Sequence, residues 1–144
     1  MKVNIAIDPG ETGGLAFQDE NNRFWVCKMP STVHDLADLL SEYEVNTVIV
    51  EKVGGYMPGN SGPAAVKFAR HCGEIDGVLA AMKIPHKFVL PSKWMNEFIG
   101  KPPKDKTKRK KKIKTKCQQL FPNLKITLAV SDALGILCYL IKEG

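Results

Sequence analysis

Val3-Asn4-Ile5-Ala6-Ile7-Asp8-Pro9-Gly10-Glu11-Thr12-Gly13-Gly14-Leu15-Ala16-Phe17 is the stretch that decides how this chain is laid out. An apolar run ends in a carboxylate, a breaker-rich turn follows, and a second apolar run returns. The pattern predicts a buried strand over residues 3–8 and an antiparallel partner over residues 13–18. Asp8 then stands where the buried strand leaves the core. A carboxylate there costs desolvation energy unless a cation or hydrogen-bond donors hold it.

Working outward, residues 23–28 (Arg-Phe-Trp-Val-Cys-Lys) carry β-formers and predict a third strand, broken by Met29-Pro30. Ser31 or Thr32 is placed to cap a helix over residues 33–43, with Val33, Leu36, Ala37, Leu39 and Leu40 as its apolar face. Asn46-Thr47-Val48-Ile49-Val50-Glu51 is another short apolar run ending in an acid. Strand, helix and strand in that order predict a right-handed crossover and parallel pairing. Residues 54–63 are a breaker-rich loop, expected to be exposed. A long helix is predicted over residues 63–83, with Ala65, Phe68, Ala69, Cys72, Ile75, Val78, Leu79 and Met82 at helical spacing. Small residues at Ala64, Ala65, Ala69, Gly73 and Gly77 would let another element approach it closely. Lys87–Leu90 reads as a strand stopped by Pro91, and Ser92 as the cap of a short helix through Trp94 and Phe98. Lys108 to Leu120 has no breaker and reads as helical, ended by Phe121-Pro122-Asn123. Thr127 to Ile141 reads as a last helix, with Asp132 in its first turns. No internal repeat and no second domain is evident, so residues 1–144 are expected to form one domain.

The chain has 144 residues, 44% of them hydrophobic and 25% charged, which suits an ordinary globular protein. No apolar run approaches the roughly 20 residues that cross a bilayer, and no signal-peptide pattern opens the sequence, so a cytosolic location and no membrane partner are expected. Cys27, Cys72, Cys117 and Cys138 form no C-x-x-C pair, which argues against a zinc site. Cys72 and Cys138 sit in apolar patterns and read as small core residues. The formal net charge of +6 is unevenly spread. Residues 101–116 hold ten basic residues, Lys101, Lys104, Lys106, Lys108, Arg109, Lys110, Lys111, Lys112, Lys114 and Lys116, against the single acid Asp105, which leaves the rest of the chain at −3. A charge run is usually a solvated face. This density favours polyanions, above all nucleic acid, with salt-dependent binding.

Three carboxylates then stand at element ends: Asp8, Glu51 and Asp132. Taken singly, each has an ordinary explanation. Asp8 could cap its turn, Glu51 could be an exposed strand end, and Asp132 could favour a helix dipole. Taken together in an α/β layer, they can converge. A cluster of acids repels itself unless a hard, oxygen-preferring cation such as Mg2+ or Mn2+ relieves it. Two such ions roughly 4 Å apart can activate water and stabilise a leaving alkoxide in phosphodiester hydrolysis. Acids for metal and bases for phosphate point to a nuclease.

Several blocks together resemble a known family. They are Ile7-Asp8-Pro9-Gly10 with Gly13-Gly14, then Val48-Ile49-Val50-Glu51-Lys52-Val53, then Phe68 through Gly77-Val78-Leu79. Val89-Leu90-Pro91-Ser92-Lys93-Trp94, Lys116-Cys117-Gln118-Gln119-Leu120-Phe121-Pro122 and Ser131-Asp132-Ala133-Leu134 follow. In this order, over nearly the whole chain, they resemble the RuvC-like Holliday junction resolvases, especially the phage and poxvirus-type branch of the RNase H-like superfamily. The resemblance implies an α/β fold of the RNase H-like kind, a mixed five-stranded sheet flanked by helices. It implies a homodimer that binds four-way DNA junctions in a bacterial or phage-infected host cytosol and nicks two strands symmetrically with Mg2+ or Mn2+, two ions per site. Asp8, Glu51 and Asp132 match the family's catalytic, metal-binding acids. The helix after residue 63 matches a region of the dimer interface, and the loop holding Tyr56 and Met57 matches a place of junction contacts. Lys52, Tyr56, Lys104, Lys106, Lys108, Arg109, Lys110, Lys111, Lys112, Lys114 and Lys116 are the expected DNA-contacting residues. Lys114 or Lys116 is expected nearest the scissile phosphate, and Lys52 on the sheet face opposite Glu51.

One position departs from the family. A fourth acid commonly lies three or four residues before the last one, where this chain has Ala129 and Leu128, and Ser131 is a poor metal ligand. A site completed by water or phosphate, a weak second metal, and lost catalysis all fit that departure. The alternatives are a related nuclease for flaps, branched DNA or RNA–DNA hybrids, and a junction-binding protein without catalysis. The Asp8–Gly14 turn also looks like the phosphate loop of actin-like and sugar kinases, but that architecture needs two such domains, and it gives the basic arm no role.

Overall fold

The computed structural model describes residues 2–53 and 62–144; Tyr56, Met57 and most of the loop predicted over residues 54–63 lie outside the described residues. Five strands, β1 (Lys2–Asp8), β2 (Gly14–Asp19), β3 (Phe24–Lys28), β4 (Glu44–Glu51) and β5 (His86–Val89), form one sheet in the order β3-β2-β1-β4-β5. β1 pairs antiparallel with β2 and parallel with β4. β2–β3 is antiparallel, and β4–β5 is parallel. The helices are α1 (Val33–Ser41), α2 (Gly62–Ala81), α3 (Pro91–Ile99), α4 (Lys106–Leu120) and α5 (Leu128–Glu143). The sheet is mixed and covered on both faces, as expected.

Strand alternation sorts the core into two layers. Val3, Ile5 and Ile7 of β1, with Val48 and Val50 of β4, pack against Leu36 and Leu40 of α1 and Ile75 and Leu79 of α2. The intervening Ala6 and Ile49 pack against Trp94 and Phe98 of α3, Ile113 and Cys117 of α4, and Ala133, Leu134 and Leu137 of α5. Asp8 shares the parity of Ala6, and Glu51 that of Ile49. Both acids therefore emerge on the α5 face. The parallel register Ile7↔Val50 brings Asp8 alongside Glu51 at the ends of the two central strands.

Local expectations shift at three places. The N-cap of α3 is Leu90, without a side-chain bond, because Pro91 occupies the first turn, where a missing N–H costs nothing. Ser92 is therefore inside the helix. α4 starts at Lys106, since Asp105 caps it by accepting from the Lys108 amide at 2.9 Å. The fully buried cysteine is Cys117, whereas Cys72 and Cys138 are half-buried. Cys117 is on the inward stripe of α4, where its thiol donates to the Ser131 carbonyl at 3.4 Å.

Two close approaches fix the Asp8 turn. Gly10 has φ +110°, a left-handed conformation that favours glycine. Its amide donates to His71 Nδ1 of α2 at 2.9 Å. The Gly13 amide closes the turn on the Gly10 carbonyl at 3.0 Å. These two amides are therefore not used in capping by Asp8.

Candidate functional site

The site is built on the paired ends of β1 and β4, with α5 across them. Glu51 is 7% exposed, so it is not an exposed strand end. Its Oε2 accepts a hydrogen bond from the Trp94 indole Nε1 at 2.6 Å. Its carboxyl also shares a hydrogen bond with that of Asp8. Asp132 is the fifth residue of α5, beyond the first turn, and half-buried. It acts electrostatically on both Asp8 and Glu51.

Burial, followed by the charges of Glu51 and Asp132, pushes the Asp8 carboxyl up to about 9. Burial is also the largest cause raising Glu51 to about 7, opposed by the Trp94 hydrogen bond. Asp132 is raised by burial and lowered by Lys110 and Arg109. Among the described residues, no three His, Cys, Asp or Glu side chains stand close enough to form a ready-made metal cage. The donor chemistry nonetheless fits a hard cation: the Asp8 and Glu51 carboxyls share a hydrogen bond, and the charge of Asp132 acts on both.

This arrangement fixes the sign of a pH effect in chelator-treated protein. The unfolded chain releases the Asp8 proton near pH 4, whereas the folded chain holds it to about 9. The folded state then binds more protons between those values, so stability falls as pH rises toward 9. Urea melts between pH 7 and 8, below the range in which thiols of the unfolded chain ionise, should show stability falling with pH, and Asp8→Asn should reduce that slope by up to about 1.4 kcal/mol per pH unit. A slope of the opposite sign would contradict the burial of this carboxyl.

The basic segment is placed beside these acids. α4 is anchored by Ile113 and Cys117, and Lys110 lies on the same helical stripe one turn earlier. Lys110 is accordingly the lysine whose charge acts on both Asp8 and Asp132, and Arg109 acts on Asp132. Lys116, expected near the scissile phosphate, is instead turned to α3: its ammonium donates to the Phe98 carbonyl and lies 4.9 Å from the Phe98 ring centroid. Lys104, Lys106, Lys108, Lys110, Lys111 and Lys112 are exposed; Arg109, Lys114 and Lys116 are half-buried. Lys52 is exposed, 5.5 Å from the centroid of Phe88, whose neighbour Val50 belongs to the α2-side core. That is the face opposite Glu51.

At the departing positions, Leu128 is 55% exposed and supplies no oxygen. Ala129 belongs to a tight approach of α5 to β2, where a Cβ on Gly14 would meet the Ala129 carbonyl at 2.6 Å. Ser131 Oγ donates to the Thr127 carbonyl at 2.7 Å. Sequence reasoning missed Trp94 as a partner of Glu51 and His71 as a support of the Asp8 turn. His71 stands one turn after Phe68, which also faces Gly10; that spacing was the available signal.

The sequence matches no protein-family model and no curated protein. Solved structures do match. Thermus thermophilus RuvC in complex with a Holliday junction substrate superposes with a TM-score of 0.65 at 16% identity, covering 94% of this chain and 90% of that chain. A second Thermus thermophilus RuvC structure gives 0.63 at 16% identity, covering 93% and 90%. Fowlpox virus resolvase with substrate Holliday junction DNA gives 0.50 at 18% identity, covering 92% and 95%. The chain thus has the RNase H-like fold of the RuvC-like resolvases.

Proposed function

We propose that this protein is a metal-dependent, structure-selective endonuclease that binds four-way DNA junctions as a homodimer and nicks two strands symmetrically. The observation that carries this reading is the hydrogen-bonded Asp8–Glu51 pair, on which the charge of Asp132 acts, with Lys110 of the basic helix α4 near enough to act on Asp8 and Asp132. The architecture is one in which solved relatives are bound to Holliday junctions. Bound Mg2+ or Mn2+, up to two ions, would supply an activated water and stabilise the leaving oxygen.

Asp8, Glu51 and Asp132 would hold that metal. Asp8, at the end of the central strand β1 and hydrogen-bonded to Glu51, would supply one of those carboxylates. Glu51 is fixed on one side by Trp94, and Asp132 approaches from α5. Lys110 steadies the phosphate next to the acids and offsets its developing charge. The remaining lysines of α4 and Lys104 track the backbone without reading sequence.

The homodimer is supported by the outward face of α2. Val66 is 69% exposed, and a Cβ on Gly73 or Gly77 would meet nothing within 4 Å. This small-residue face suits close approach of a second copy, which would present two sites to a two-fold junction.

A salt titration of binding to a synthetic four-way junction checks the role of α4. Wild type should lose affinity steeply with salt. Neutralising Lys108 through Lys112 should flatten the log–log slope by about 0.9 for each phosphate that the helix no longer neutralises. An unchanged slope would remove α4 from the interface. Adding Mg2+ or Mn2+ to the same complex should produce nicks; binding without nicking would favour the non-catalytic reading prompted by Leu128 and Ala129.

A further inference from the structure

We infer that Trp94 is a positioning residue for metal binding at Glu51, held in place by Gly135; the inference rests on the reading of Glu51 as a metal ligand. Trp94 is fully buried, and its indole N–H reaches Glu51 Oε2 at 2.6 Å. An indole N–H only donates, so this bond fixes the carboxylate rather than competing for cation. It occupies one oxygen, leaves the other available to a cation, and restricts the rotamer freedom of the glutamate. The ring is fixed from behind by α5. A Cβ on Gly135 would meet Trp94 Cζ3 at 2.4 Å and Cε3 at 3.0 Å. Gly135 is one turn beyond Asp132, so one helix places both the third acid and the support of the second.

Partners that orient a metal's ligands govern affinity as well as rate, typically by 10–100-fold on removal. The test is Mn2+ binding to the DNA-free protein, read as free Mn2+ by electron paramagnetic resonance, with junction cleavage measured in parallel. Trp94→Phe keeps an aromatic ring and removes the donor; it should weaken Mn2+ binding by roughly 10-fold or more. Trp94→Phe combined with Gly135→Ala refills the space vacated by the larger ring and restores packing, as checked by thermal denaturation. It should leave Mn2+ binding as weak as in the single variant. Recovery of Mn2+ affinity in the double variant would overturn the inference, because packing alone would then explain the loss. So would wild-type affinity in Trp94→Phe while Glu51→Gln loses binding. If Glu51→Gln itself binds Mn2+ as wild type does, the metal-site reading falls as well, and the two failures are told apart.

Discussion

Asp8→Asn is expected to reduce junction cleavage by roughly 1,000-fold or more, the consequence of losing several kcal/mol of transition-state stabilisation from a metal site. Junction affinity should be unchanged, since the contacts expected to hold DNA phosphate come from α4 and not from Asp8. The fold should survive the change. Burial keeps the Asp8 carboxyl protonated and hydrogen-bonded to Glu51 in the absence of a cation, and the variant's amide can donate in its place. Lost activity with retained binding and a melting temperature no lower than that of wild type therefore isolates the chemistry. Glu51→Gln and Asp132→Asn should behave alike. Full cleavage by Asp8→Asn would sink the assignment of this acid.

Gly13→Ala should be among the most damaging single-methyl substitutions in the chain. A Cβ on Gly13 would stand 2.0 Å from the Asp8 carbonyl oxygen, 2.9 Å from its carbon and 3.0 Å from the Pro9 carbonyl oxygen. All three are backbone atoms, so no rotamer change relieves the clash. The turn also cannot simply open, because the Gly13 amide donates to the Gly10 carbonyl and its own carbonyl accepts from the Met29 amide, each at 3.0 Å. The expected cost is about 3 kcal/mol, the upper part of the usual overpacking range. That corresponds to a fall of about 10 °C in melting temperature. Cleavage should drop with it, since the strained atoms belong to Asp8 itself. An unchanged melting temperature would contradict the close approach.

The central sheet was legible because three apolar runs end in turns or acids at recognisable places. Ile7-Asp8, the Gly13-Gly14 return and Val50-Glu51 together anticipate the strand ends that meet in the structure. The meeting of Asp8 with Glu51 was legible for the same reason, as strand parity puts both on one face. Side-chain partnerships across distant elements were not. Trp94 reads in sequence as one more apolar residue of a short helix, and nothing local shows that its N–H meets a carboxylate 43 residues away. The preference for Lys110 over Lys114 and Lys116 depends on the rotation of α4. Only Ile113 and Cys117 set that rotation in a helix otherwise rich in charge. Counting back one turn from Ile113 would have singled out Lys110. Helix starts moved for local reasons: Asp105 outcompeted later positions as a cap, and Pro91 took the place that Ser92 would have needed.

The most direct test of the central claim is cleavage of end-labelled four-way junction, flap, duplex and RNA–DNA hybrid substrates by the purified protein, in Mg2+ and separately in Mn2+. Paired nicks at symmetric positions in opposing strands of the junction, leaving ligatable ends, are expected, with much slower cutting of the other three. A junction that is bound but left uncut in both metals would contradict that claim, as would preferential cutting of flap or hybrid.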